Sequence, residues 1–184
     1  MNLCMFFEGT GQGVAGRLTN VTRLRDLCVD DMRQKLHLES GLGTHFGSYL
    51  AGKIAGVDWR TTFRSPRRWF EANYETLSKD GVSTKVFLFG FSRGALIARH
   101  FAAWLNNLGV VVADLGLWDT VDATVGLDVA AECPRNVRRR YRTSKMRTLC
   151  GTIFVAIATG GLACDRMTQP CPQDDCCMLQ EGNL

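Results

Sequence analysis

Several features that would place the protein in a special class are missing from its 184 residues. The first residues carry no positively charged segment and soon reach Glu8, which does not fit a secretory signal and favours a cytoplasmic protein. The longest weakly polar stretch, residues 149–164, is interrupted by glycine and falls short of the ~20 residues of a membrane span. The cysteines form no Cys-x-x-Cys pair, and adjacent Cys176 and Cys177 are a poor zinc pattern. We therefore expect neither a membrane protein nor a zinc protein.

Charge and composition are ordinary for a globular domain, apart from one basic stretch. The chain is 46% hydrophobic and 22% charged, and its net charge of +4 is too small to indicate a nucleic-acid partner. Residues 135–147 hold seven lysines and arginines and no acid. Such a run can mark a surface for nucleic acid or lipid headgroups, but it is more often a solvated face. We expect no nucleic-acid partner, and the oligomeric state stays open.

The apolar patterns predict alternating strands and helices. Residues 3–7 form a short apolar run that ends in a glycine-rich turn, as a buried strand does. A helix capped by Thr19 follows, and the spacing of its apolar residues extends it to Met32. The further predicted elements are a helix from Pro66, a strand at residues 85–89, a helix at residues 95–105, and strands at residues 110–112 and 115–118. This order predicts a three-layer α/β sandwich with a mainly parallel sheet.

The character of the chain changes near residue 130. Beyond this point the periodicity fades, the basic run appears, and cysteine and glutamine accumulate. We assign residues 1–130 to the α/β domain, which would be incomplete at its C-terminal side. Residues 131–184 are predicted to be a basic, cysteine-rich and poorly ordered tail, since the last part has almost no apolar content.

The motif Gly90-x-Ser92-x-Gly94 lies between the clearest predicted strand and a strong helix. A sharp turn from strand to helix needs glycine on both sides of the serine, and it lifts the serine hydroxyl out of the sheet. The amide of Arg93 would then face a developing oxyanion, helped by the helix dipole. Ser92 is therefore the candidate nucleophile; the alternative is an ordinary helix N-cap.

A serine nucleophile needs an acid and a base; the sequence offers a clear candidate for the acid but not for the base. Asp119 follows the next strand, where the acid of such enzymes lies, with Asp122 as a competitor. No histidine follows Asp119, and His100 would lie roughly 12 Å along the helix axis from Ser92. His37 and His45 precede the serine, against the usual order, but His45 lies in a glycine-rich loop and is the candidate base.

A second glycine pattern, Gly11-x-Gly13-x-x-Gly16, matches a dinucleotide fingerprint on paper. The strand before it is brief, three residues intervene, and no acid ends a second strand about 20 residues later. We interpret it as a glycine-rich loop, with nucleotide binding as the weaker alternative.

Five motifs in fixed order resemble an uncharacterised α/β-hydrolase family that includes the catalytic domain of type VI secretion phospholipase effectors. They are residues 6–12, residues 19–24, residues 41–44, residues 90–95 with Ala98 and Arg99, and residues 116–121. The resemblance covers about residues 3–125. It implies an α/β-hydrolase-like fold, Ser92 as nucleophile, Asp119 as acid, and a loop of Glu8, Gly9 and Thr10 beside them. It implies a lipid or other carboxylic ester as substrate, with no metal or organic cofactor.

Two departures from the family pattern bear on activity. Family members usually have Asp where this chain has Glu8, and they continue past Trp-Asp-Thr-Val into a segment that carries the catalytic histidine. Here the basic run and the cysteine-rich tail take that place. We interpret this as a truncated or frameshifted gene product that lacks its histidine and has little activity. The alternative is an inactive hydrolase-fold fragment or a binding protein.

Overall fold

The computed structural model describes residues 1–9, 19–41, 63–120 and 134–143. Within these ranges five strands and three helices alternate along the chain. They are β1 (Asn2–Phe7), α1 (Asn20–Leu27), β2 (Gln34–Glu39), α2 (Arg64–Lys79), β3 (Lys85–Phe91), α3 (Arg93–Asn107), β4 (Val112–Trp118) and β5 (Val137–Thr143).

The five strands form one sheet in the order β2-β1-β3-β4-β5, and each neighbouring pair is parallel. The prediction of an α/β sandwich with a mainly parallel sheet is therefore confirmed. In the register, Phe7 lies beside Gly90, and Phe91 lies beside Trp118. The carboxyl ends of β1, β3 and β4 consequently meet at one edge of the sheet, which is where parallel α/β proteins place their sites.

Helices cover both faces of the sheet and produce three layers. Alternate residues of β3 take opposite sides, so Val86 and Leu88 pack with α3, whereas Phe87 and Phe89 pack with α1. Phe70 of helix α2 packs in the same core as Val86, Leu88 and α3. Because the central strands are covered on both faces, their side chains are apolar almost without a break.

The structure corrects the prediction for the segment after Thr19. Thr19 caps α1 as predicted, since its hydroxyl accepts the Thr22 N–H at 3.1 Å. The helix ends at Leu27, however, and Met32 is 89% exposed instead of forming part of an apolar face. A strand that the analysis did not predict, β2, follows at Gln34.

A turn at Asp31 explains why the chain leaves the helix and enters β2. One carboxylate oxygen of Asp31 accepts the backbone N–H groups of Arg33 (2.7 Å) and Gln34 (3.0 Å). The N–H of Arg33, and then its guanidinium, hold the pKa of the Asp31 carboxyl below its usual value. A side chain that binds its own backbone in this way competes with helix formation and fixes the start of the strand.

The second correction concerns the basic run. Val137–Thr143 lies in the segment assigned to the poorly ordered tail, yet it forms β5 and pairs with β4 from Val112 to Trp118. Asn136 secures its start, because its amide donates to the carbonyls of Ala102 (3.1 Å) and Val110 (2.8 Å). The sheet thus continues beyond residue 130; residues 144–184 lie outside the described part of the chain.

Candidate active site

Ser92 lies at the junction of β3 and α3, in a backbone conformation that serine rarely adopts. Its φ is 55° and its ψ is −120°. Its side chain makes no capping hydrogen bond to the helix that it precedes, which disfavours the N-cap interpretation. A non-glycine residue in this region costs about 1–3 kcal/mol, so the surrounding structure must hold it there. The sharp, strained turn predicted between strand and helix is present.

Close backbone packing explains the two flanking glycines. A Cβ on Gly94 would lie 2.1 Å from the carbonyl oxygen of Phe7, and a Cβ on Gly90 would lie 2.5 Å from the carbonyl oxygen of Gly94. Neither contact is possible for a real side chain. Glycine at position 94 therefore lets the first turn of α3 pack on the end of β1, and glycine at position 90 lets the same turn pack on β3.

Gly9 and Trp118 approach Ser92 from the two neighbouring strands. A Cβ on Gly9 would lie 3.1 Å from the Cβ of Ser92 and 2.9 Å from the Phe91 ring. On the other side, the Ser92 N–H donates to the carbonyl of Trp118 at 2.8 Å. The Ser92 turn is thus held between the chain segments that leave β1 and β4.

Asp119 follows Trp118 directly and is exposed at this same edge of the sheet. Its φ is 47°, and Ser92 and Asp119 are the non-glycine residues with positive φ in the described ranges. The two unusual conformations therefore occur at the ends of adjacent strands. Asp tolerates this region better than most residues, because its short side chain can hydrogen-bond locally.

Glu8 is a buried acidic residue beside this turn, only 2% exposed. Its Oε1 accepts hydrogen bonds from the hydroxyls of Thr19 (2.6 Å) and Thr22, and its Oε2 accepts the N–H of Gly9 at 3.3 Å. The sequence analysis placed Glu8 in the loop but assigned it no partners. The spacing Thr19-x-x-Thr22 after an acid at a strand end could have indicated them. The Gly9 N–H thus donates to Glu8, while Gly9 itself packs closely against Ser92.

The two histidines in the described ranges lie away from Ser92. His37, on β2, stacks on Trp69 with ring centroids 5.0 Å apart, and its Nε2 lies 3.2 Å from Glu39. His100 lines a pocket of about 520 Å³ between α2 and α3, together with Arg67 and Trp104. Thr10, His45, Asp122 and the Gly11–Gly16 loop lie outside the described residues.

The described ranges lack two kinds of feature. No helix there is both long and apolar enough to cross a membrane. No group of three or more His, Cys, Asp or Glu residues in those ranges is arranged to hold a metal ion.

Comparison with known proteins gives one match. The family model described as "T6SS, Phospholipase effector Tle1-like, catalytic domain" matches residues 1–115, more than half of the chain. The chain belongs to this family. No curated protein and no solved structure matches it.

Family membership confirms the predicted resemblance and supports lipid hydrolysis as the general function of the domain. The matched range contains Glu8, Thr19, Thr22 and the whole Ser92 turn, whereas Asp119 lies four residues beyond it. Membership by itself assigns no role to any single residue, so the roles below are argued from the site.

Proposed function

We propose that this chain is a serine ester hydrolase domain that acts on phospholipids or other carboxylic esters, with Ser92 as nucleophile. The observation that carries the proposal is the strained turn at Ser92. The Ser92 backbone has φ 55°, and its side chain forms no capping bond to α3. The turn also needs glycine at both flanking positions, so this conformation has no evident structural purpose. Strain that the surrounding structure maintains occurs preferentially at functional sites.

The proposed reaction uses the edge of the sheet where β1, β3 and β4 end. The Ser92 hydroxyl attacks the ester carbonyl and gives up its proton to a base, forming a tetrahedral oxyanion. The amide of Arg93, at the positive end of the α3 dipole, stabilises this charge, and the amide of Thr10 is the second candidate donor. The alcohol or lysolipid then leaves with a proton, and water hydrolyses the acyl-enzyme to release the fatty acid.

Asp119 is the proposed acid of the triad. It directly follows Trp118, whose carbonyl accepts the Ser92 N–H, so it is one residue away from a hydrogen bond to the Ser92 turn. An acid in this place would hold an imidazole in the orientation that receives the serine proton. Asp122, which lies outside the described residues, is the alternative acid.

The positions of the histidines support a second candidate function. His37 stacks on Trp69, and His100 lines the pocket between α2 and α3, so His45 is the candidate base. Without a base, the Ser92 hydroxyl would be almost entirely un-ionised and weakly nucleophilic. The second candidate is therefore a hydrolase-fold protein that binds lipid or ester without turning it over.

Added imidazole, which can act as a base in place of a histidine, distinguishes the hydrolase from the lipid-binding protein. We would measure hydrolysis of a short-chain activated ester, and of phospholipid vesicles, by the wild-type chain, Ser92→Ala and His45→Ala. The rate with Ser92→Ala at each imidazole concentration is the background to subtract. A Ser92-dependent rate that imidazole increases supports a site without its own base. A Ser92-dependent rate lost in His45→Ala assigns His45 as base. Equal rates in all three proteins would contradict the hydrolase proposal.

A further inference from the structure

Glu8 connects four parts of the structure at the edge that holds Ser92. Its N–H donates to the carbonyl of Glu39 at the end of β2, at 3.0 Å. Its carbonyl oxygen lies against Gly94, where an added Cβ would approach it to 2.6 Å. Its carboxylate binds the two threonine hydroxyls at the start of α1, and Gly9, the next residue, touches Ser92.

Burial makes these contacts necessary for the carboxylate. A buried charged group is destabilising unless hydrogen bonds and nearby charge compensate for its lost hydration. Glu8 has three donors, and α1 adds the positive end of its dipole. The first turn of α1 contains no acid of its own, so Glu8 supplies the negative charge that this end of the helix favours.

We propose that Glu8 is a positioning residue, whose carboxylate fixes the turn at Gly9 against Ser92 and so sets the space above the serine hydroxyl. The catalytic part of this inference rests on the proposed function, because it requires that Ser92 react. The structural part does not, because it concerns only the conformation of Gly9.

The consequence for catalysis is geometric. Gly9 has no room for a side chain between Phe91 and Ser92, so a small displacement of this turn changes the space above the serine. A misplacement of about 1 Å in such a site can reduce the rate on the order of 100-fold. Removal of the Glu8 acceptors should lower kcat and leave KM almost unchanged.

Three variants test the role of the carboxylate. Glu8→Met keeps the length of the side chain but removes both acceptors, whereas Glu8→Gln keeps one oxygen. Thr22→Val removes one donor to Glu8 while the Thr19 cap of α1 stays intact. Glu71→Gln, on the partly exposed surface of α2, is the control for loss of one negative charge.

Two readouts are measured on each variant of the full chain. The first is amide hydrogen exchange at Gly9, with the amides of β1 as an internal reference for correct folding. The second is kcat and KM for ester hydrolysis with added imidazole, after subtraction of the Ser92→Ala rate. We expect Glu8→Met to speed exchange at Gly9 at least about tenfold and to lower kcat by about 10- to 100-fold. Glu8→Gln and Thr22→Val should fall between this variant and the wild type, and Glu71→Gln should match the wild type.

The readouts separate failure of this inference from failure of the proposed function. Unchanged exchange at Gly9 in Glu8→Met would overturn the inference, whatever Ser92 does. Faster exchange with unchanged Ser92-dependent kcat would also overturn it, since Glu8 would then be structural only. If the β1 amides of Glu8→Met lost their protection from exchange, that variant would be misfolded. Glu8→Gln and Thr22→Val would then be used instead, and unchanged Gly9 exchange or unchanged kcat in them would overturn the inference. A hydrolysis rate that does not depend on Ser92 would instead refute the proposed function.

Discussion

Ser92 and its neighbours show how single residues define this site. The serine has an unfavourable φ, and three glycines surround it closely. Gly94 allows α3 to pack on the end of β1, Gly90 allows the first turn of α3 to pack on β3, and Gly9 leaves space above the serine. Each glycine is required by a contact that a Cβ would make shorter than 3.0 Å.

The strain at Ser92 can be measured with two substitutions that both remove the hydroxyl. Alanine keeps the unfavourable backbone conformation, whereas glycine adopts positive φ easily. We expect Ser92→Gly to be more stable than Ser92→Ala, with a free energy of unfolding about 1 kcal/mol higher. This difference allows for the larger unfolded-state entropy of glycine. Urea denaturation of both variants gives the comparison. If Ser92→Ala were equally or more stable, the serine would not be strained as described.

At the scale of elements, local sequence determines some segments and leaves others undetermined. The unit from β3 through the Ser92 turn into α3 was predictable because a buried apolar run, paired glycines and a helical pattern follow one another in 23 residues, Lys85–Phe91 and Arg93–Asn107 with Ser92 between them. Asp119 could also be placed at the correct edge, because it follows a strand of the same parallel sheet.

Strands β2 and β5 could not be predicted from their own residues. Both are outer strands of the described sheet, and backbone hydrogen bonds to β1 and β4 hold them there. Such bonds require no particular side chains. The basic sequence of β5 therefore resembled a tail, and the apolar spacing before β2 resembled a longer helix. The partners of Glu8 were missed for a related reason, since they come from a separate element, α1.

The start of β2 gives a prediction about pH. The Arg33 N–H lowers the pKa of Asp31 in the folded protein, so the ionised carboxylate stabilises the fold. This contribution is fully present above the unfolded pKa of about 3.9 and is lost as pH falls through the lower folded pKa. We expect Asp31→Asn to be less stable than the wild type at pH 7, with the difference shrinking as pH falls below about 4. If the stability difference between Asp31→Asn and the wild type were the same at pH 7 and below about pH 4, this role of Asp31 would be contradicted.

Asn136 tests whether β5 belongs to the cooperative fold. Its amide bridges carbonyls from α3 and from the segment before β4, so Asn136→Ala should lower the free energy of unfolding by about 1–3 kcal/mol. Asn136→Asp should be worse at neutral pH, because an oxygen would then face those carbonyls. Arg138→Ala, on the exposed surface of the same strand, is the control. Chemical denaturation in which all three proteins match the wild type would show that the core folds without β5.

At the scale of the whole molecule, the parallel sheet is what brings the site together. Residues 7–9, 91–94 and 118–119 are distant in sequence, but they follow three adjacent strands and meet at one edge. Membership in the phospholipase effector family gives this edge a chemical context, the hydrolysis of lipid esters. We propose that Ser92 is the side chain at this edge that forms the covalent bond with the substrate.

The most direct test of that claim is to identify the residue that becomes covalently modified. The folded chain is incubated with an alkyl fluorophosphonate in the presence of imidazole, and its peptides are analysed by mass spectrometry. In the reaction the serine oxygen displaces fluoride from phosphorus, which leaves a stable adduct. We expect one adduct, on the peptide that contains Ser92, and none on that peptide from denatured wild-type chain or from Ser92→Ala. Modification of another residue, or none at Ser92 under conditions that label a control serine hydrolase, would contradict the account.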